Sequence, residues 1–231
     1  PNGSRAKRKS TPNTNSWRIF VLVLVAATSN HCVPWLCGVT GGDVGMMYSP
    51  DSGCPRPYPW MPLAIDNGRF HATISGREWE EKTFLKLIDF VLESDCKPLF
   101  IAVPDVVYDR EATLREWDKW FTRLDKLDVP LAMVVQDGMT PSDVPEGVVA
   151  FIGGSKVFKK RMTPDFIDAC SKVHVGRVNR YKALCRYKAL GAASVDGSGF
   201  LRGGYGAEAY RQLEMFLFHS TPQMELFDPA K

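Results

Sequence analysis

Six times in this chain a short apolar run, rich in β-branched residues, stops at a polar or glycine residue. The runs are Met61-Pro62-Leu63-Ala64-Ile65 before Asp66, Leu99-Phe100-Ile101-Ala102-Val103 before Pro104-Asp105, and Leu131-Ala132-Met133-Val134-Val135 before Gln136. They continue with Val148-Val149-Ala150-Phe151-Ile152 before Gly153-Gly154, Val173-His174-Val175 before Gly176-Arg177, and Ala192-Ala193-Ser194-Val195 before Asp196. Parallel strands covered on both faces read as continuous apolar runs, because neither face meets water. In barrels of such strands the chemistry gathers at their carboxyl ends. The pattern predicts one pocket ringed by Asp66, Asp105, Gln136, Gly153, Gly154 and Asp196, which is the layout of an enzyme.

Helical patterns separate the runs. Residues 78–93 set Phe84, Leu87, Ile88, Val91 and Leu92 on one face, and residues 111–126 repeat this with Leu114, Trp117, Phe121 and Leu124 behind an Asp109 cap. Shorter helices are expected at 141–144, 163–171, 180–190 and 206–218, the second of these with Thr163 as its cap and Pro164 at its first position. Strand and helix in this alternation imply right-handed parallel crossovers. The expected fold is an α/β (β/α)8 TIM-type barrel, with room for irregularity at its amino-terminal end. An open doubly wound sheet would need a glycine-rich phosphate loop after the first strand, and residues 25–30 do not supply one.

Residues 1–16 read as a flexible basic arm, and 17–231 as a single barrel domain with a long irregular segment at 28–61. A first strand is expected at 19–25 and a short one fits 44–48. The apolar run at 19–27 follows a basic stretch, as in a signal peptide, yet it is too short to span a bilayer. Its valines and leucines favour a buried strand, so no membrane partner is expected. The six cysteines show no C-x-x-C spacing, which points to reduced thiols in a cytoplasm. His31, Cys32, Cys37 and Cys54 are too irregularly spaced to predict a metal site, and no cofactor is expected.

The formal net charge of +3 does not diagnose a nucleic-acid partner. Basic residues nevertheless cluster at 5–9, 156–161 and 177–188, where the alternative to phosphate contact is a solvated face. Asp66-Asn67-Gly68, Gln136-Asp137-Gly138 and Asp196-Gly197-Ser198-Gly199 are each turn sequences in isolation. Their coincidence at the ends of converging strands shifts the reading toward function. Two carboxylates in one barrel mouth can divide labour, one ionised as nucleophile and one carrying a proton. Carboxylate nucleophiles suit an anomeric carbon, whose transition state is cation-like. Asp105, Gln136 and the Gly153-Gly154 amides offer acceptors and donors for a planar polar ligand such as guanine, although a sugar would use similar groups. His174 reads foremost as a satisfied core residue, and Phe70 as core packing or a stacking face for a base.

The motifs Asp66-Asn67-Gly68-Arg69-Phe70, Pro104-Asp105, Val135-Gln136-Asp137-Gly138, Phe151-Ile152-Gly153-Gly154, His174-Val175-Gly176 and Ser194-Val195-Asp196-Gly197, in this order, resemble the tRNA-guanine transglycosylase superfamily. The closest likeness is to its short phage-type branch, the DpdA-like enzymes that put 7-deazaguanines into DNA. The resemblance covers roughly residues 62–200. It implies Asp196 as the nucleophile at C1′ and Asp66 as the general acid/base. It implies Asp105, Gln136, Gly153 and Gly154 as base-reading positions, Phe70 and Val175 as the pair that sandwiches the base, and Asn67 as a neighbouring contact. Asn67-Gly68-Arg69 replaces a Ser-Gly-Gly of the tRNA enzymes. No cysteine follows Cys185, so their zinc site has no counterpart, which favours DNA over tRNA as the partner.

The expected function is therefore exchange of guanine in DNA, flipped out or single-stranded, for a free 7-deazaguanine base such as preQ0, in the cytoplasm (of the host, for a phage protein). Lys156, Lys159, Lys160, Arg161, Arg177, Arg180 and Arg202 follow barrel strands and are candidates to hold phosphates. The rivals are an N-glycosylase or glycosidase using the same two aspartates with water, and a non-catalytic nucleic-acid-binding barrel.

Overall fold

The computed structural model describes residues 21–52, 55–200 and 206–219. The basic arm at 1–16, the first two positions of the expected 19–25 strand, Cys54 and Arg202 lie outside the described residues.

Eight strands close into a parallel barrel in sequence order. They are β1 (Leu22–Ala26), β2 (Val44–Tyr48), β3 (Leu63–Ile65), β4 (Ile101–Ala102), β5 (Leu131–Val135), β6 (Val149–Ile152), β7 (Val173–Val175) and β8 (Ser194–Gly197). Closure comes from β1 against β8, where Leu24 stands opposite Asp196. The helices are α1 (Cys32–Thr40), α2 (Arg69–Ser75), α3 (Glu81–Leu92), α4 (Arg110–Leu124), α5 (Lys156–Ala169), α6 (Tyr181–Leu190) and α7 (Gly206–His219). Among the described residues no helix is long and apolar enough to cross a membrane.

Because side chains alternate along each strand, the barrel carries two cores. Leu24, Met47, Ala64, Phe100, Ala102, Val134 and Phe151 fill its interior. Val23, Val25, Met46, Ile65, Ile101, Val135, Ile152 and Val175 face outward into a larger layer with the helices. Both sets are apolar, which is why the strands read as unbroken runs. Gly45 lies where β2 meets the chain entering β3, and a Cβ there would come within 2.2 Å of the Pro62 carbonyl oxygen.

Several elements depart from expectation. The segment at 28–61 is not irregular throughout: helix α1 precedes β2, the strand expected at 44–48. Val33, Leu36 and Cys37 are the buried face of α1, and Gly41 ends it in the left-handed conformation at φ 70°. The frequent Gly, Pro and Cys of that stretch hide the short helix from a periodicity reading. Helix α2 follows directly on the Asp66 turn, where only a turn was expected. Helix α4 bears out its cap, since the Asp109 carboxylate accepts the Ala112 N–H at 2.9 Å.

The helix expected at 163–171 begins a full two turns earlier. Ser155 is its cap, accepting the Phe158 N–H at 3.1 Å, and Pro164 sits inside the helix. An interior proline leaves the carbonyl four residues back without its donor. Here that carbonyl belongs to Lys160, and the Arg186 guanidinium of α6 donates to it at 2.9 Å. The Thr163 hydroxyl turns back to the Lys159 carbonyl at 2.6 Å rather than capping anything.

Candidate functional site

A cavity of about 300 Å³ opens at the carboxyl end of the barrel. The whole predicted ring lines it: Asp66, Asp105, Gln136, Gly153, Gly154 and Asp196, joined by Asn67, Phe70, Gly176 and Arg177. Each sits at or just beyond a strand end, so closure of the barrel brings together residues spread over most of the chain.

Asp105 and Gln136 form the buried polar centre, at 4% and 3% exposure. Asp105 accepts one hydrogen bond on each oxygen, from Asn67 Nδ2 at 2.8 Å and from Gln136 Nε2 at 2.6 Å. Burial pushes its carboxyl up to about 6, against the pull of those two donors. Asn67 is itself held by a second bond to the Val103 carbonyl at 2.9 Å, and its own oxygen accepts the Arg69 N–H at 2.8 Å. Gln136 Oε1 accepts the amides of Tyr108 at 2.9 Å and Gly154 at 3.1 Å. The Asp105 carboxylate therefore lines the cavity already braced by two side-chain donors.

The glycine pair plays a different part from the expected one. The Gly153 N–H donates to the Val135 carbonyl at 2.9 Å, and the Gly154 N–H is taken by Gln136. Neither amide is open to a ligand. The pair is needed for closeness instead: a Cβ on Gly153 would lie 2.9 Å from Gln136 Nε2, and Gly154 adopts φ +64°. The Asp137 carboxylate anchors this loop, accepting the Ser155 N–H at 2.7 Å and its hydroxyl at 2.6 Å.

Two further carboxylates face the cavity from β3 and β8. Burial, followed by the charges of Asp196 and Asp105, pushes the Asp66 carboxyl up to about 7. Asp196 is held on both oxygens, with His174 Nε2 at 3.0 Å from Oδ1 and the Arg177 N–H at 3.3 Å from Oδ2. The raised Asp66 carboxyl can hold a proton at neutral pH. Arg177 has a positive φ of 60°, which swings its guanidinium back across the mouth. There it bonds the Gly154 carbonyl and stacks on the Phe70 ring, 3.8 Å from the centroid.

Two sequence assignments need correction. Val175 is fully buried and faces outward among the helices, not into the cavity. Alternation on β7 turns its neighbours His174 and Gly176 inward in its place. Lys159 is also turned inward: it is 5% exposed and donates to the Gly176 carbonyl at 2.5 Å. A buried ammonium so engaged is no surface contact for phosphate; burial and the nearby Arg177 charge pull it down to about 8. Lys156, Lys160 and Arg161 do stand exposed along α5, flanking Val157, and Arg180 is exposed at the start of α6.

Sequence reasoning left out Ser49, Asp51 and Ser52, which line the cavity from the loop after β2. Firmer placement of the 44–48 strand would have found them. It also missed the link between His174 and Asp196. Among the described residues no cluster of His, Cys, Asp or Glu is placed to hold a metal ion. No family model and no curated protein matches the chain.

Proposed function

We propose that this protein is a base-exchanging glycosyltransferase that replaces guanine in a polynucleotide, DNA in preference to tRNA, with a 7-deazaguanine. The observation that carries the reading is a pair of carboxyl groups in one cavity, Asp66 pushed up to about 7 and Asp196, with the Asp105 carboxylate beside Asp66 at the end of the neighbouring strand. Guanine presents two adjacent donors, N1–H and the 2-amino group, and Asp105 is a cavity-lining carboxylate that can accept from them. The order of strand-end motifs that resembles the tRNA-guanine transglycosylases supports the same reading.

In this mechanism an Asp196 oxygen attacks C1′ as the N-glycosidic bond breaks, and the bonding pair leaves with the base. Protonated Asp66 gives its proton to the departing guanine. The incoming 7-deazaguanine then loses its ring N–H proton to the Asp66 carboxylate. Its nitrogen attacks C1′ and releases Asp196, so both groups return to their starting states. The target nucleotide must leave its stack to reach the barrel mouth. Lys156, Lys160, Arg161 and Arg180 lie exposed on the helices that follow β6 and β7, where they can hold the backbone.

The test is mass spectrometry of nucleosides from DNA incubated with the protein and preQ0. A deazaguanine nucleoside, formed with wild type and lost in Asp196→Asn, is the expected result. Abasic sites in place of a new nucleoside would replace the proposal with an N-glycosylase, and binding with no change in the DNA would leave a non-catalytic barrel.

A further inference from the structure

Among the polar side chains turned into the barrel interior, His174 is fully buried. Its ring lies 4.4 Å from Phe151 and 5.0 Å from Phe100, centroid to centroid. An imidazole in such surroundings is costly unless both nitrogens are satisfied. Here they are: Nε2 lies 3.0 Å from Asp196 Oδ1, and Nδ1 lies 2.8 Å from Ser194 Oγ.

We infer that His174 is the positioning residue for Asp196, and that Ser194 sets its tautomer so that the ring proton points at that carboxylate. The inference rests on Asp196 being the reacting group of the proposed exchange. An ionised carboxylate can only accept, so Nε2 carries the hydrogen, and in the neutral ring Nδ1 must then accept from the Ser194 hydroxyl. Sheet register builds the relay. His174 pairs with Ser194 across β7 and β8, and the two-residue period places Ser194 and Asp196 on the same inner face. The donated proton holds Oδ1 while the Arg177 amide restrains Oδ2, which stops the carboxylate rotating as C1′ approaches. It also stabilises the negative charge when Asp196 departs from C1′ in the second step. Asp66 and Lys159 both interact electrostatically with Asp196, one as a like charge and the other as an opposite charge. A neutral donor from inside the barrel adds orientation without adding charge.

Two measurements decide the matter. Nitrogen–proton correlation spectra of ring-labelled protein should show His174 with hydrogen on Nε2 and none on Nδ1. A proton on Nδ1 overturns the inference whether or not the protein exchanges bases. In exchange assays His174→Phe fills the space without a donor, and kcat should fall roughly ten- to hundredfold, the cost of one charge-assisted hydrogen bond. KM for the free base should stay within about twofold, because His174 lies behind the cavity wall and not in it. His174→Gln restores an amide donor at similar reach and should recover most of the lost kcat. Wild-type kcat in His174→Phe, or no recovery in His174→Gln, overturns the inference. Should the Phe variant not fold, Ser194→Ala replaces it, with a lowered kcat and a mixed ring tautomer expected, and an unchanged tautomer overturning the role of Ser194. A wild-type protein that exchanges nothing defeats the proposed function alone, since the ring spectrum still decides the relay.

Discussion

The Arg177 guanidinium lies 3.8 Å from the centre of the Phe70 ring, so the aromatic face that lines the cavity is already covered. A planar base can stack on Phe70 only after Arg177 leaves it. Displacing a contact of this kind costs about 0.5–2 kcal/mol. Arg177→Gly tolerates the positive φ and uncovers the ring. The free 7-deazaguanine should then bind roughly two- to tenfold more tightly in a calorimetric titration. Weaker binding would mean that Arg177 holds the base rather than occupying its place.

Asp105→Ala removes the acceptor shared by Asn67 and Gln136 and takes a carboxylate out of the cavity lining. Each buried group left unpaired costs about 1–3 kcal/mol. Affinity for the free base should fall roughly ten- to a hundredfold, with a measurable loss of thermal stability. Unchanged affinity would take Asp105 out of the recognition set.

Asp66 links stability to pH with a definite sign. Its folded carboxyl is pushed up to about 7, whereas an unfolded Asp titrates near 4. Between those values the folded state keeps a proton that the unfolded chain has lost, so stability falls as pH rises through the window. Asp105, pushed up to about 6, adds the same trend over a narrower range. Asp66→Asn should therefore stabilise the protein more at pH 8 than at pH 5 in denaturant titrations, by at most about 3 kcal/mol. A gain equal at both pH values would show that Asp66 does not carry the proton. In the proposed exchange this is the proton given to guanine, so the first step should slow above about pH 7, the value to which Asp66 is pushed.

Neutralising Lys156, Lys160 and Arg161 together should flatten the dependence of log affinity on log salt by up to roughly three units for duplex DNA. Lys159→Met should leave that slope unchanged, because its ammonium is spent on the Gly176 carbonyl. A slope that responds to Lys159 and not to its exposed neighbours would place the polynucleotide path elsewhere.

Much of this architecture is written in the apolar runs. Leu131–Val135 is a five-residue strand with every position buried, and hydrophobicity alone marks such a segment and the polar residue that ends it. The predicted ring survives for that reason: Asp66, Asp105, Gln136 and Asp196 each follow or close a run that the barrel gathers to one end. The cap of α4 is equally local, since Asp109 and Ala112 are three residues apart. The Ser155–Pro164 helix shows the opposite case. Pro164 marks a helix start by local rule, yet it lies inside the helix, where Arg186 from a different helix donates to the carbonyl it leaves without a partner.

What the sequence by itself determined is which residues leave water and where each strand stops, because burial on both faces demands apolar side chains wherever the strand finally lies. What only the tertiary structure decided is direction and partnership. In Val173–Val175 every residue is buried, so no alternation reveals that His174 faces the cavity side and Val175 the helices. Lys159 shares a basic run with exposed neighbours, and only packing against β7 turns it inward. Gly154 carries an amide that looks free in sequence and is bonded to a side chain 18 residues away. These outcomes depend on strand register and barrel closure, which join residues through space and leave no period along the chain.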